Sequence, residues 1–171
     1  MAAEVHRQRD YSYRLTQWLN WFDKKPHGEA LFVICMGTEI IGFALSKPNS
    51  DPAIAVPGEF HACYILPEFR GGSAGPIAMM ALALSLYENG LWPACIWAFS
   101  QNPYRRVYPA LGCKSVVFRD RQIAGHSIPE IGYRVDDYNQ LMARLDRMRV
   151  SSALPKTRSP QKLLRRSQSV G

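Results

Sequence analysis

An apolar strand, a glycine-rich turn and an apolar helix follow one another directly in the middle of the chain. This succession limits the fold more than any other feature. Residues 59–66 form an apolar run that Pro67 closes, as is typical of a buried strand. An apolar helix is predicted from Pro76 to about Asn89, where Gly90 marks its end. A strand that leads through a tight turn into a helix predicts an α/β domain.

The turn itself, Arg70–Gly75, has the composition of an anion-binding site. Backbone N–H groups of the turn and the unsatisfied N–H groups of the helix start point to one place. Glycine allows close approach to the main chain, and Arg70 adds a fixed positive charge, so a ligand with a pyrophosphate is predicted. The same residues are also typical of an ordinary helix start. The P-loop pattern and the Gly-x-Gly-x-x-Gly dinucleotide pattern are both absent.

The other segments predict a mixed sheet with further helices. Asp10 is placed to cap a helix that runs to about Lys24. The predicted apolar face of that helix consists of Tyr11, Leu15, Trp18, Leu19 and Phe22. Further strands are predicted at 31–36, 39–46, 94–100, 114–120 and 130–136, and a last helix at 137–149. Strand 94–100 follows strand 59–66 through a helix, so the two are expected to be parallel neighbours.

Composition divides the chain into a domain and a basic tail. The 171 residues are 47% hydrophobic, which is enough for one sizeable core, and we place the domain at residues 1–150. Residues 151–171 hold five basic residues and no acid, which leaves a charge of only +2 of the total +7 to the domain. Serine and proline in this tail favour disorder. Either an anionic partner (nucleic acid or an acidic protein) or no dedicated partner is consistent with it.

Cysteines and apolar stretches predict a cytoplasmic protein without a metal site. Cys35, Cys63, Cys95 and Cys113 are scattered and form no Cys-x-x-Cys pair, so buried free thiols in a reducing compartment are expected. The first ten residues are too polar for a signal peptide. The longest apolar stretch, Ala74–Leu86, is shorter than the ~20 residues of a membrane span, and it predicts a helix buried on most sides.

Two segments around the turn carry a family resemblance. Tyr64–Gly71, followed by Gly75, resembles the acetyl-coenzyme A signature of the GNAT superfamily of N-acetyltransferases. Asn102–Cys113 is similar to the family's Asn…Tyr-x-x-Leu-Gly-Phe segment, and the likeness extends over about residues 28–136. The resemblance implies a GNAT-like α/β fold, an α+β mixed sheet with two splayed parallel strands and flanking helices. It also implies an acyltransferase that uses acetyl-CoA as donor and needs no metal.

The chain departs from the family pattern at two places that bear on the site. Ser73 replaces a glycine of the loop, where its backbone N–H remains available and its hydroxyl is expected to cap the helix. Pro109 follows Tyr108 directly, and it is expected to remove one helical hydrogen bond and bend that turn.

The resemblance also implies where the donor binds. The cofactor arm would lie between the splayed strands 59–66 and 94–100. Arg70 would support the pyrophosphate, the backbone of Ile65 would pair with the pantetheine arm, and Asn102 would contact that arm. The complete set of implied cofactor-binding residues is Tyr64, Ile65, Arg70, Gly71, Gly72, Ser73, Ala74, Gly75 and Asn102.

Three residues are candidates for proton transfer. The resemblance assigns the general acid to Tyr108, because a phenol with a pKa of ~10 can protonate a thiolate of similar basicity. Glu59 and His61 have the same parity on their strand, so either is a candidate base that would accept the proton of the amine. Each residue also has a plainer interpretation. Glu59 fits a solvated strand end, His61 a hydrogen-bonded core histidine, and Tyr108 a packing residue.

The resemblance therefore implies an N-acetyltransferase that moves an acetyl group from acetyl-CoA to a primary amine by direct attack in a ternary complex. Two alternatives stay open. The first is a non-catalytic binding or structural protein with this fold, of a kind that phages encode. The second is a nucleic-acid-directed modifying enzyme that uses the basic tail. A homodimer is compatible with all three, and the sequence does not identify the acceptor.

Overall fold

A computed structural model describes residues 11–24 and 26–153, in which a six-stranded mixed sheet is covered on both faces. The strands are β1 (Ala30–Met36), β2 (Glu39–Pro48), β3 (Gly58–Ile65), β4 (Ala94–Phe99), β5 (Lys114–Ile123) and β6 (His126–Val135). The helices are α1 (Tyr11–Lys24), α2 (Ala74–Glu88), the short α3 (Val107–Ala110) and α4 (Tyr138–Ala153). Two 3-10 turns, Pro67–Phe69 and Pro103–Arg106, follow β3 and β4.

The strand order is β1-β2-β3-β4-β6-β5, and only β3 and β4 run parallel to each other. These two strands pair over three residues, from Gly58 opposite Ala94 to Phe60 opposite Ile96, and then diverge. The predicted parallel pair and its splay are thus confirmed. On its other side β3 stays paired with β2, where the register skips His61 because Ala62 lies opposite Leu45 and Phe60 opposite Ser46. His61 is the extra residue of a β-bulge.

One face of the sheet is covered by α2 and α4 and forms the main core. Leu82 and Leu86 of α2 meet Leu141 and Leu145 of α4 over the inward side chains of the central strands. Because α2 lies between the sheet and α4, it is apolar on several sides. It is less buried than its sequence predicts, since Ile77, Leu84 and Tyr87 are exposed, although the Tyr87 ring stacks on Tyr138 of α4 with centroids 4.3 Å apart.

The opposite face is covered by α1 and by the loop 49–57. The side-chain amide of Asn49 ties this loop together by donating to the carbonyls of Asp51, Ile54 and Val56 at 3.1, 2.8 and 3.0 Å. Ile54 and Val56 are buried there against Cys95. The loop thereby closes the β4 side of this face.

Helix α1 lies on the β2 side and has no buried residue. The prediction of its apolar face is corrected, because Leu15, Leu19 and Phe22 are all exposed and only Trp18 of that set packs on the sheet. The ring of Trp18 stands edge-on to Phe43, with centroids 5.1 Å apart. The helix is therefore attached mainly through its indole rings.

The remaining expectations are met in part. All four cysteines are free, but only Cys95 and Cys113 are buried, because Cys35 lies on the edge strand β1 and Cys63 on the unpaired part of β3. Asp137 caps α4 by accepting from the N–H of Gln140 at 2.9 Å. Helix α4 continues to Ala153, three residues beyond the predicted end of the domain. The Asp10 cap and the rest of the basic tail lie outside the described residues.

No helix within residues 11–24 and 26–153 is long and apolar enough to cross a membrane.

Candidate active site

The divergence of β3 and β4 opens a cleft whose two sides carry different predicted residues. Side chains alternate across β3, so Phe60 enters the core beneath α2 while Glu59 faces Lys47 on the α1 side. Tyr108 belongs to the α2 side, where it packs against the main core. The cleft therefore brings Tyr108 to one face of the sheet and the pair Glu59 and His61 to the other.

The glycine-rich turn has the free donors that its sequence predicts. Gly71 adopts a φ of +80°, a left-handed conformation that favours glycine. None of the backbone N–H groups from Gly71 to Gly75 donates a hydrogen bond to another described residue. A Cβ added at Gly71 or Gly72 would meet no atom within 4 Å, so the space above the turn is open. Free donors, open space and the start of a long helix fit a pyrophosphate.

Ser73 differs from its expected role. Its carbonyl accepts from the N–H of Ile77 at 3.0 Å, but its hydroxyl forms no capping hydrogen bond, because its backbone has helical angles whereas a capping residue has non-helical ones. Its contribution to the turn is therefore the free backbone N–H.

Arg70, which is predicted to support the pyrophosphate, contacts the end of β3 and the rings of Tyr64 and Tyr104. Its Nε donates to the carbonyl oxygen of Ile65 at 2.7 Å. Its guanidinium lies 5.5 Å from the ring centroids of both Tyr64 and Tyr104. Ile65 offers this carbonyl because it lies beyond the point where β3 leaves β4. Arg70 thus holds the acceptor that the family resemblance assigns to the pantetheine arm.

The end of β4 repeats this arrangement. Nε of Arg105 donates to the carbonyl oxygen of Ser100 at 2.7 Å, again five residues back along the chain. Between them Asn102 caps the 3-10 turn, because its Oδ1 accepts from the N–H of Tyr104 at 3.0 Å, as its sequence predicts. Both strand ends at the cleft are therefore fixed by local side-chain hydrogen bonds.

Tyr108 is held firmly by its backbone and its ring. Its carbonyl oxygen accepts from the N–H of Cys113 at 3.0 Å, and its ring centroid lies 5.1 Å from that of Tyr133. Helix α3 ends two residues later at Ala110. Pro109 therefore lies in a single short helical turn, and there is no longer helix for it to bend. Burial, followed by the neighbouring Cys63, Cys113 and Tyr133, raises the pKa of Tyr108 to about 12. The expected pKa of ~10 is thus corrected, and this phenol is a weaker acid than a free one.

Glu59 and His61 contact each other, which confirms that they share a face. Nδ1 of His61 lies 2.6 Å from Oε1 of Glu59, and Nζ of Lys47 lies 3.7 Å from Oε2. Glu59 is only 7% exposed, so it is no solvated strand end. The His61 side chain is 40% exposed, so it is no core histidine. A neutral His61 that donates from Nδ1 to Glu59 keeps Nε2 free to accept a proton.

His61 opens into a groove of about 320 Å³ between α1 and the sheet. Trp18, Trp21 and Phe43 line its apolar part, and Glu29, Lys47 and His61 its polar part. The sequence did not single out Trp21, Glu29 or Lys47. Their only signal would have been the pairing of Lys47 with Glu59 across β2 and β3, which depends on a register that the bulge shifts.

A network of ion pairs fixes the loop 49–57 on the other side of Glu59. Arg119 of β5 contacts Asp51 of the loop at 2.6 Å and the buried Glu130 of β6 at 3.0 Å. The hydrogen bond to Arg119 holds the pKa of Asp51 below its usual value. The Arg119 guanidinium also lies 3.7 Å from the Trp97 ring centroid. Ion pairs and a cation–π contact thus hold this loop against the sheet.

A second, larger groove of about 460 Å³ lies between Ala110 and α4, where Arg144 and Arg147 line it. None of the predicted site residues lies in it. Within the described ranges, no three His, Cys, Asp or Glu side chains are close enough to hold a metal ion.

Solved structures share this fold at low sequence identity. A ribosomal-protein-alanine N-acetyltransferase from Brucella melitensis is 17% identical, with a TM-score of 0.59 over 75% of this chain and 79% of that one. An N-acetyltransferase from Staphylococcus aureus Mu50 is 16% identical, with a TM-score of 0.59 over 71% and 76%. A GNAT family acetyltransferase from Elizabethkingia anophelis, solved with acetyl-CoA bound, is 14% identical, with a TM-score of 0.53 over 69% and 82%.

No protein-family model and no curated protein sequence matches the chain. The structural similarity confirms the predicted fold: the described residues adopt the fold of the GNAT acetyltransferases, a mixed α/β sheet with splayed parallel strands.

Proposed function

We propose that this protein is an N-acetyltransferase that uses acetyl-CoA to acetylate a primary amine. The observation that carries the proposal is the position of the cleft, which begins where β3 leaves β4 and lies beside a turn with five free backbone N–H groups. A pyrophosphate at the turn would let a flexible arm reach the cleft between the strands. The GNAT neighbour with bound acetyl-CoA supports this donor.

The donor side uses backbone groups more than side chains. Gly71–Gly75 would bind the pyrophosphate through their N–H groups and the positive end of α2. Asn102 fixes the turn after β4, and the backbone of Ile65 would pair with the arm once Arg70 releases its carbonyl oxygen. Tyr64 holds Arg70 from one side and would keep it near the arm afterwards.

The acceptor side supplies the base. Acetyl-CoA, when bound, supplies the acetyl thioester to be attacked. The attacking amine would give its proton to Nε2 of His61, and the Glu59 carboxylate would stabilise the imidazolium that forms. Lys47 keeps Glu59 oriented toward this face. Both Glu59 and His61 therefore have a part, the first as the positioning residue and the second as the base.

Tyr108 would serve the departing thiolate from the opposite face. Because burial raises the pKa of Tyr108 to about 12, above that of the thiol it would form, complete proton transfer to the thiolate is uphill. The phenol would therefore stabilise the developing charge by donating a hydrogen bond, and solvent would complete the protonation.

Calorimetric titration with acetyl-CoA tests the proposal. Gly72→Asp places a carboxylate in the open space above the turn, at a glycine whose backbone is not left-handed, so the fold should survive. We expect wild type to bind and Gly72→Asp to bind at least about tenfold more weakly. Thr38→Asp adds the same charge in the exposed turn between β1 and β2 and should bind like wild type.

Failure of wild type to bind millimolar acetyl-CoA would overturn the proposal in favour of a binding or structural protein. Equal weakening by Gly72→Asp and Thr38→Asp would mean that the added charge acts at long range, so that the turn is not the binding site.

A further inference from the structure

Glu29 is a carboxylate fixed in the groove between α1 and the sheet, and no cation of the described residues lies beside it. Its Oε2 accepts a 2.5 Å hydrogen bond from Nε1 of Trp21, and its side chain lines the groove while the residue is half-buried. Among residues 11–24 and 26–153, no Lys, Arg or His lies within ion-pair distance of it. A half-withdrawn carboxylate in this state attracts a cation from solution.

Aromatic rings surround the same space. Trp18 and Trp21 stand edge to face with centroids 6.3 Å apart, and Trp18 stands likewise on Phe43 at 5.1 Å. All three rings line the groove together with Glu29. Electron-rich ring faces beside a carboxylate are a favourable environment for an ammonium group, above all for indole rings.

The sheet sets the distance between Glu29 and the proposed base. Ala30 lies opposite Ser46, and Lys47 lies opposite Glu59, so Glu29, Lys47 and Glu59 occupy the same level of three adjacent strand paths. Two strand spacings separate the outer two, which is about 10 Å between backbones. Lys47 stands between them, and its charge is matched by Glu59 at 3.7 Å.

We propose that the acceptor is a primary amine that carries a second, non-reacting positive charge, as a diamine does. The second ammonium would lie between Glu29 and the indole rings while the reacting amine reaches His61. Arg14, on the rim of the groove, donates to Gln17 at 3.3 Å and, within the described ranges, forms no ion pair with Glu29. This inference rests on the proposed acetyl transfer and adds the charge of the substrate.

Three amines of similar length and different charge test it. 1,5-Diaminopentane has a distal cation, pentylamine has none, and 5-aminopentanoic acid has a distal anion. We expect kcat/KM with acetyl-CoA to be highest for the diamine, by about tenfold over pentylamine, and lowest for the acid. A preference for the acid would overturn the inference, because Arg14 or Lys47 would then select the substrate.

Glu29→Gln separates the charge of Glu29 from the shape of the groove. The variant keeps an acceptor for Trp21 and should lose the preference for the diamine, measured as the ratio of kcat/KM for 1,5-diaminopentane to kcat/KM for pentylamine. Glu39→Gln removes an exposed carboxylate at the start of β2 and should keep the full preference. An equal loss for all three amines in Glu29→Gln would contradict the role of Glu29 in charge selection.

Binding without turnover distinguishes the two proposals. Calorimetry with 1,5-diaminopentane alone should show binding to wild type that is about tenfold weaker in Glu29→Gln. Such binding without acetyl transfer would support the cation site and contradict the acetyltransferase. Acetyl transfer to pentylamine with no diamine binding and no diamine preference would support the acetyltransferase and contradict the cation site.

Discussion

The two faces of the sheet differ in how closely the helices pack on them. Between α2, α4 and the sheet, side chains such as Leu82, Leu141 and Leu145 are fully buried, and the carbonyl oxygen of Tyr108 accepts from the N–H groups of Leu111 and Cys113. On the opposite face α1 buries no residue and contacts the sheet mainly through indole rings. The proposed donor side therefore belongs to the rigid face and the proposed acceptor side to the loosely covered one.

This difference has a physical reason. The donor side must hold backbone N–H groups and a phenol in fixed positions, and close packing provides that fixity. The acceptor groove needs only rings and charges near a base, and a helix attached by few contacts provides them at little cost in packing. Substitutions on α1 can then change what the groove accepts without unfolding the domain.

Removing a core side chain beneath α2 should lower the free energy of unfolding far more than removing one from α1. Leu82→Ala leaves a cavity between α2, α4 and the sheet, so we expect the free energy of unfolding to fall by about 2–5 kcal/mol. Leu19→Ala, on a side chain that is 59% exposed on α1, should change it by less than about 0.5 kcal/mol. Urea unfolding measures both. Equal losses would show that α1 is packed as firmly as α2.

Tyr108→Phe should reveal the chemistry of the rigid face. It removes one hydroxyl and keeps the ring against Tyr133, so we expect kcat to fall by about 100-fold with unchanged affinity for acetyl-CoA. Tyr104→Phe, at an exposed phenol near Arg70, is the control and should keep its activity. Acetylation assays stopped at fixed times measure kcat, and calorimetry measures the affinity for acetyl-CoA.

The pH dependence of the same variant tests the pKa of the phenol. Since that pKa is raised to about 12, Tyr108 stays protonated through pH 10, and its removal should shift no limb of the rate profile below that pH. A basic limb below pH 10 that disappears in Tyr108→Phe would show a more acidic phenol and a true proton transfer.

The loss of stability at alkaline pH should depend on the buried thiol of Cys113 and not on the exposed thiol of Cys35. Burial raises the pKa of Cys113 to about 12, so the folded state keeps a proton that the unfolded state loses near pH 8.5. The stabilisation is complete below that pH and declines above it, by at most about 1.4 kcal/mol per pH unit for each such thiol. Urea unfolding at pH 8, 9 and 10 should show a shallower decline in Cys113→Ala. Cys35→Ala should leave the decline unchanged, and a similar change in both variants would argue against burial as the cause.

Local patterns predicted the rigid face well. The succession of β3, turn and α2 is encoded by an apolar run, glycines and an apolar helix that lie next to one another in sequence. Caps at Asn102 and Asp137 involve partners two or three residues away, so they too could be predicted. The site roles assigned to these residues remain predictions.

Features that depend on distant partners could not be predicted. The apolar stripe of α1 indicates an amphipathic helix, but it does not reveal that Trp18 would contact the sheet and Trp21 would contact Glu29 while Leu15 and Leu19 stay exposed. The position of Arg70 depends on Tyr104, which another strand brings near. The raised pKa of Tyr108 depends on burial beside Cys63 and Tyr133, which are far away in sequence.

The three residue pairs that join β3 to β4 also mark the boundary between two continuous parts of the chain. Strands β1, β2 and β3 all precede residue 66, and β4, β5 and β6 all follow residue 93, so each half of the sheet comes from one continuous half of the sequence. Gly58 lies so close to the carbonyl oxygen of Leu91 that a Cβ there would be 2.1 Å from it. The connection at 89–93 therefore lies against the start of β3, at the end of the β3–β4 pairing that is opposite to the cleft.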